Sequence, residues 1–84
     1  MKTKQQKVSV PVINRYIERA LRGETPPNIK ITDTHVIIEG NHRYIAGYVT
    51  KRLPGTDPYP DSKPNAPSYD FGDLVYDDAD WGGE

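Results

Sequence analysis

Cysteine is absent from this chain, which rules out disulfides and thiolate metal ligands and leaves redox logic silent about its compartment. Long hydrophobic runs are also absent. With no apolar stretch of about 18 residues and no signal-like apolar region, the sequence predicts a soluble domain without a membrane partner. A cytoplasmic site of action is expected, and export would require another part of a longer protein or a dedicated machine. Ser-His-Asp order, a P-loop, a Rossmann glycine fingerprint, zinc spacing and internal repeats are all missing. Apolar residues are themselves scarce. At 35% hydrophobic over 84 residues, the chain makes one small domain with a thin core, burying about 60 per cent of its unfolded surface. Eight prolines and seven glycines assign a good part of it to loops.

What is present is charge, unevenly spread. Residues 1 to 52 carry ten Lys or Arg against four acids (Glu18, Glu24, Asp33, Glu39), a balance of +6. Residues 53 to 84 carry Lys63 against eight acids, a balance of −7, so a net charge of −1 conceals a basic half and an acidic half. The basic half would attract nucleotides or nucleic acid, and the acidic half would compete with them. Solvated charge without any partner explains the same asymmetry equally well.

Patterning then predicts the elements. Met1 to Lys7 lacks apolar periodicity and reads as a frayed start. Ser9 or Val10 suits a helix cap, with Pro11 in the first turn, where its missing N–H costs nothing. Val12, Ile13, Tyr16, Ile17, Ala20 and Leu21 form one buried helical face, and Gly23 ends the helix. Arg15, Arg19 and Arg22 lie on another face. Pro26-Pro27 forces extended backbone into a half-buried strand around Ile29 and Ile31, and Asp33-Thr34 turns the chain toward His35-Val36-Ile37-Ile38. His35 reads as an ordinary strand-start histidine, and Val36 to Ile38 as buried on both faces. After Glu39-Gly40, Tyr44, Ile45, Tyr48, Val49 and Leu53 recur at helical spacing, giving a second helix from about Asn41 to Lys51. Five prolines between Leu53 and Ser68 favour extended, solvated backbone. Beyond them, Phe71, Leu74, Val75, Tyr76 and Trp81 are too many apolar side chains for a free tail, and are expected to dock on the core or on a partner. The organisation expected is a core over residues 1 to 53 and a Pro-rich, acidic and aromatic extension over 54 to 84.

A glycine turn and a His-Arg pair between an apolar strand and a helix have the layout of a phosphate site, because N–H groups and the dipole at a helix start favour an anion. The run Glu39-Gly40-Asn41-His42-Arg43-Tyr44-Ile45-Ala46-Gly47 also resembles the acid-Gly-X-His-Arg-X-X-Ala signature of the ParB/sulfiredoxin superfamily. Upstream, the helix ending Leu21-Arg22-Gly23-Glu24, the Pro26-Pro27 loop and the two strands repeat that family's element order, so the resemblance covers about residues 8 to 52. It implies an α+β domain with a short sheet and two main helices. It further implies a nucleoside triphosphate such as ATP or CTP, with magnesium, cradled by Gly40, Asn41, His42 and Arg43.

Within that frame Arg43 is a bidentate phosphate ligand and His42 a donor or proton shuttle. Glu39 is the candidate general base or metal-bridging carboxylate, although a strand-end acid facing solvent explains it as well. Lys30 could reach a phosphate from its strand, or be a solvated strand lysine. Glu18 and Glu24 are weaker acid candidates. Asn41 stands where sulfiredoxins, by resemblance, carry the reactive cysteine, so sulfinic-acid reduction is excluded on chemical grounds. The acids Asp70, Asp73, Asp77, Asp78 and Asp80 suit Mg or Ca as hard oxygen ligands but match no EF-hand spacing. The reading favoured is hydrolysis of a phosphoanhydride or phosphoryl transfer, with a bacterial toxin effector as one setting. A ParB-like nuclease is a second reading. A non-catalytic module, in which nucleotide or nucleic acid gates docking to a partner, such as an immunity or regulatory protein held through the acidic extension, is a third.

Overall fold

The computed structural model describes residues 1–61 and 63–82. The first helix, α1 (Val10–Leu21), begins where its chemistry dictates: the Ser9 hydroxyl accepts the Val12 N–H, and proline occupies the first turn. It ends at Gly23, whose φ of 87° takes the left-handed turn and whose N–H bonds to the Ala20 carbonyl. The helix buries Val12, Ile13 and Ala20. Leu21, expected on that face, is 75% exposed.

Strands β3 (Ile29–Ile31) and β4 (Val36–Glu39) form an antiparallel hairpin whose register shifts between Lys30 and Ile31. His35 enters β4 with φ 62°, and Thr32 ties the turn by accepting the Thr34 and Val36 N–H groups. Val36 and Ile37 are both buried, so the strand is covered on both faces there, while Ile38, expected to be buried with them, is only half-buried.

The start of the chain is not frayed. Lys2–Thr3 is a strand, β1, inserted between β4 and β6 (Tyr69–Asp70), parallel to the first and antiparallel to the second. Thr3 is wholly buried. Two residues carry no periodicity to read, so only tertiary pairing reveals them. The Pro-rich stretch supplies β5 (Thr56–Pro58), parallel to β3 at the opposite edge, where proline's missing donor is tolerated. The sheet order is β5-β3-β4-β1-β6, five strands where the sequence suggested only a short sheet. A second, two-stranded parallel sheet pairs β2 (Lys7–Ser9) with β7 (Val75–Asp77).

Residues 54 to 82 therefore contribute three strands. They also contribute Leu74, which is buried in the core with Val8, Ile13 and Ala46, while Tyr16, Ile17, Ile45, Tyr69 and Phe71 pack around it. Val75, Tyr76 and Trp81, expected to dock on the core or on a partner, remain about half exposed. Lys4 pins the loop between β5 and β6, pairing with Asp61 at 3.1 Å and donating to the Lys63 and Ala66 carbonyls.

The second helix, α2 (Asn41–Thr50), packs on α1. It buries Asn41, Ala46 and Gly47. The larger residues at helical spacing lie elsewhere: Tyr48, Val49 and Leu53 are exposed. The reason is steric. A Cβ on Gly47 would lie 2.8 Å from Pro54 Cδ and 2.9 Å from the Arg52 carbonyl oxygen, so the chain leaving the helix folds back tightly over its small-residue face.

Candidate anion site at the start of the second helix

The path from β4 into α2 is set by Gly40. Its φ of 104° is left-handed, and an added Cβ would sit 2.4 Å from Ile29 Cγ2. Glycine is thus demanded by the backbone and by Ile29, which explains the residue independently of any ligand. The Gly40 carbonyl accepts the Tyr44 N–H at 2.9 Å, but no side chain among the described residues caps α2 and no acid stands in its first turn. Its first N–H groups are left for water or a ligand.

In front of this helix start lies a cavity of about 550 Å³ lined by Tyr16 and Arg19 of α1, Pro27, Ile38 and Glu39 of β4, and Gly40 to Arg43. A smaller cavity of about 190 Å³ adjoins it, sharing Tyr16, Arg19, Pro27 and Arg43 and adding Arg52. Arg43 is the link between them. Its side chain is 14% exposed, and among the described residues that side chain has one ion pair, with Glu39 at 3.7 Å, and no hydrogen bond. Arg19 lies with its guanidinium 5.2 Å from the centre of the Tyr16 ring.

The sequence-predicted residues divide. Gly40, Asn41, His42, Arg43 and Glu39 come together around the larger cavity. Lys30 is absent from both linings; it pairs with Glu39 at 3.4 Å and stacks 5.1 Å from the centre of Tyr59. Glu39, exposed at the strand end, is held between Lys30 and Arg43. Asn41 Nδ2 donates to Gln5 Oε1 at 3.0 Å, while its Oδ1 is buried without a partner among the described residues.

His42 is engaged in the fold. Its Nε2 accepts the Ser9 N–H at 3.0 Å, which requires a lone pair there and leaves Nδ1 as the protonated nitrogen. Trp81 covers the ring edge-on at 5.5 Å. Only Nδ1 is therefore free to donate to a ligand, and the shuttle role expected of His42 is restricted to that atom. Burial pushes the imidazole below its ordinary pKa.

The sign of the resulting pH dependence follows. Unfolded His42 titrates near 6.5 and the folded form lower, so the folded state resists the proton. Stability from this group is full above the unfolded value and is lost as pH falls through the folded one. Chemical denaturation at about pH 7.5 and about pH 5 should give a lower midpoint at the acid pH, and His42→Gln, which can still accept the Ser9 N–H, should flatten that difference. An equal difference in the variant would assign it to other groups.

Of the arginine face, Arg15 is bound bidentately by Asp80 at 2.8 and 3.0 Å, and Arg22 pairs with Glu24 at 3.5 Å. Arg15 holds the Asp80 carboxyl down at about 2, aided by the Gly82 N–H. No group of three or more His, Cys, Asp or Glu residues suited to a metal occurs among the described residues. Gln5 and Tyr16 line the cavity without having been singled out from sequence; Gln5 lies in a segment with no pattern, and Tyr16 read as core. Among the described residues no helix is long and apolar enough to cross a membrane. No protein-family model matches the chain, and neither does any curated protein or solved structure.

Proposed function

We propose that this domain binds the phosphates of a nucleoside triphosphate in the cavity before α2 and promotes cleavage or transfer at a phosphoanhydride bond. The observation that carries the reading is Arg43: a largely buried guanidinium, unbonded to any described residue except through a 3.7 Å ion pair, opening on a cavity at an uncapped helix start. A buried cation with unused donors at the positive end of a helix is an anion site in waiting. The likeness of residues 39 to 46 to the ParB/sulfiredoxin signature supports the same reading.

Arg43 would grip two phosphate oxygens, the first-turn N–H groups a third, and His42 Nδ1–H is the remaining donor beside them. Phosphoryl transfer depends on position and charge stabilisation, which these groups supply. Glu39 would exchange its Lys30 contact for the attacking water. A magnesium ion fits the residues present, since that cation takes one or two carboxylates and substrate phosphates; Glu39 would hold it, and it would supply charge neutralisation on the phosphates.

Calorimetric titration with ATP, CTP and GTP in magnesium, alongside phosphate release, tests the proposal. Saturable binding of at least one triphosphate, with slow phosphate release, is expected. Failure of all three to bind would overturn it.

A further inference from the structure

The large side chains that α2 leaves uncovered form a groove of about 530 Å³. Tyr44, Tyr48 and Val49 line one side, and Asp70, Phe71 and Tyr76 the other. Tyr48 and Val49 are 71% and 61% exposed, so the face is open. The aromatic rings form successive ridges: Tyr44 lies 5.0 Å from Phe71 and 6.4 Å from Tyr48, all tilted rather than stacked flat. The Tyr76 hydroxyl is used, donating to the Phe71 carbonyl at 2.9 Å. The hydroxyls of Tyr44 and Tyr48 have no hydrogen-bond partner among the described residues.

We infer that this groove is a docking site for a proline-rich segment of another protein carrying a basic residue. Three features select that occupant. Proline rings stack on tilted aromatic ridges, and a polyproline II backbone has no internal hydrogen bonds, so its carbonyls can accept from the spare tyrosine hydroxyls. An amphipathic helix would satisfy its own carbonyls and leave those hydroxyls unused. An added strand finds little template, because the adjacent edge strand β6 is two residues long.

Charge supplies the third feature. Asp70 lines the groove and Asp73 follows in the next turn, and neither forms an ion pair among the described residues. Lys2 is the register partner of Asp70 across β1 and β6 but does not pair with it. An Arg or Lys on the ligand would meet Asp70, the carboxylate that lines the groove. The chain's own Pro-rich segment is excluded as occupant: in the same molecule Lys4 pins it, and in a second copy the exposed Pro58-Tyr59-Pro60 is flanked by Asp57 and Asp61, which Asp70 of the groove repels. The inference does not depend on the nucleotide reading.

The test is a fluorescence-anisotropy titration with a labelled polyproline peptide ending in arginine. The same peptide ending in glutamate and an alanine-based helical peptide serve as comparisons. The arginine peptide should bind saturably and best. Tyr48→Ala, at an exposed position where thermal unfolding should be unchanged, should weaken it about tenfold. Asp70→Asn should weaken it a few-fold and remove the preference over the glutamate peptide. Absence of binding, binding unaffected by Tyr48→Ala, or equal binding of the helical peptide would overturn the inference. So would self-association lost in Tyr48→Ala without any peptide binding, which would give the face to a second copy of this chain.

Discussion

Gly40→Ala should lower the stability of the domain by about 3 kcal/mol, a decrease in Tm of about 15 °C for a domain this small. Two costs add. An alanine at a φ of 104° is strained, by about 1 to 3 kcal/mol. Its Cβ would also lie 2.4 Å from Ile29 Cγ2 and 2.9 Å from Ile29 Cβ, and Ile29 is 1% exposed with no room to retreat. Overpacking of that kind costs about 1 to 3 kcal/mol more. A double-mutant cycle separates the parts: Ile29→Ala should cost about 2 to 5 kcal/mol alone but less in the Gly40→Ala background, because it removes the clashing methyl. A loss below about 1 kcal/mol for Gly40→Ala would contradict the geometry of the turn.

Ending the chain after Leu53 should abolish cooperative folding. Such a fragment keeps both helices and the hairpin, and its composition suggests a self-sufficient basic core. It nevertheless lacks β5, β6 and β7, the partners of β3, β1 and β2. Leu74 and the covering rings of Tyr69 and Phe71 go with them, exposing Val8 and Ile13. The Ser9 hydroxyl, which donates to the Ala79 carbonyl at 2.8 Å, loses that acceptor, and Arg15 loses Asp80. A domain of this size has a total stability of order 5 kcal/mol. Removal of one core leucine alone costs about 2 to 5. Thermal melting followed by circular dichroism should show a gradual slope for residues 1 to 53; a sharp transition would mean that the first half folds alone.

The comparison of sequence with structure turns on which signals are local. The cap at Ser9, Pro11 in the first turn, the stop at Gly23, the Ile29 and Ile31 strand, the Asp33-Thr34 turn and the start of α2 are written in neighbouring residues, and each lies where its local chemistry puts it. β1 and β6 are two residues each and exist only because they pair across the chain, so no periodicity announces them. The face of α2 was misleading for a different reason. Tyr44, Ile45, Tyr48 and Val49 have the spacing of a core stripe, yet only Ile45 packs against the core cluster, Tyr48 and Val49 are exposed, and the buried positions are Ala46 and Gly47. At the candidate site, the Glu39 to Arg43 run was visible as a cluster. The Ser9 N–H bond that occupies His42 Nε2, and the contributions of Gln5 and Tyr16, depend on contacts that only the folded chain creates.

The most direct test of the phosphate site is calorimetric titration of magnesium-ATP, with CTP and GTP in parallel, into wild type, Arg43→Lys and Arg43→Ala, with the fold of each verified by its thermal transition. The account predicts that Arg43→Ala weakens the triphosphate that binds wild type by about 10- to 100-fold, and that Arg43→Lys restores part of the affinity through charge without the bidentate grip. Equal affinity in wild type and folded Arg43→Ala would contradict it, and would move any nucleotide site away from the start of the second helix.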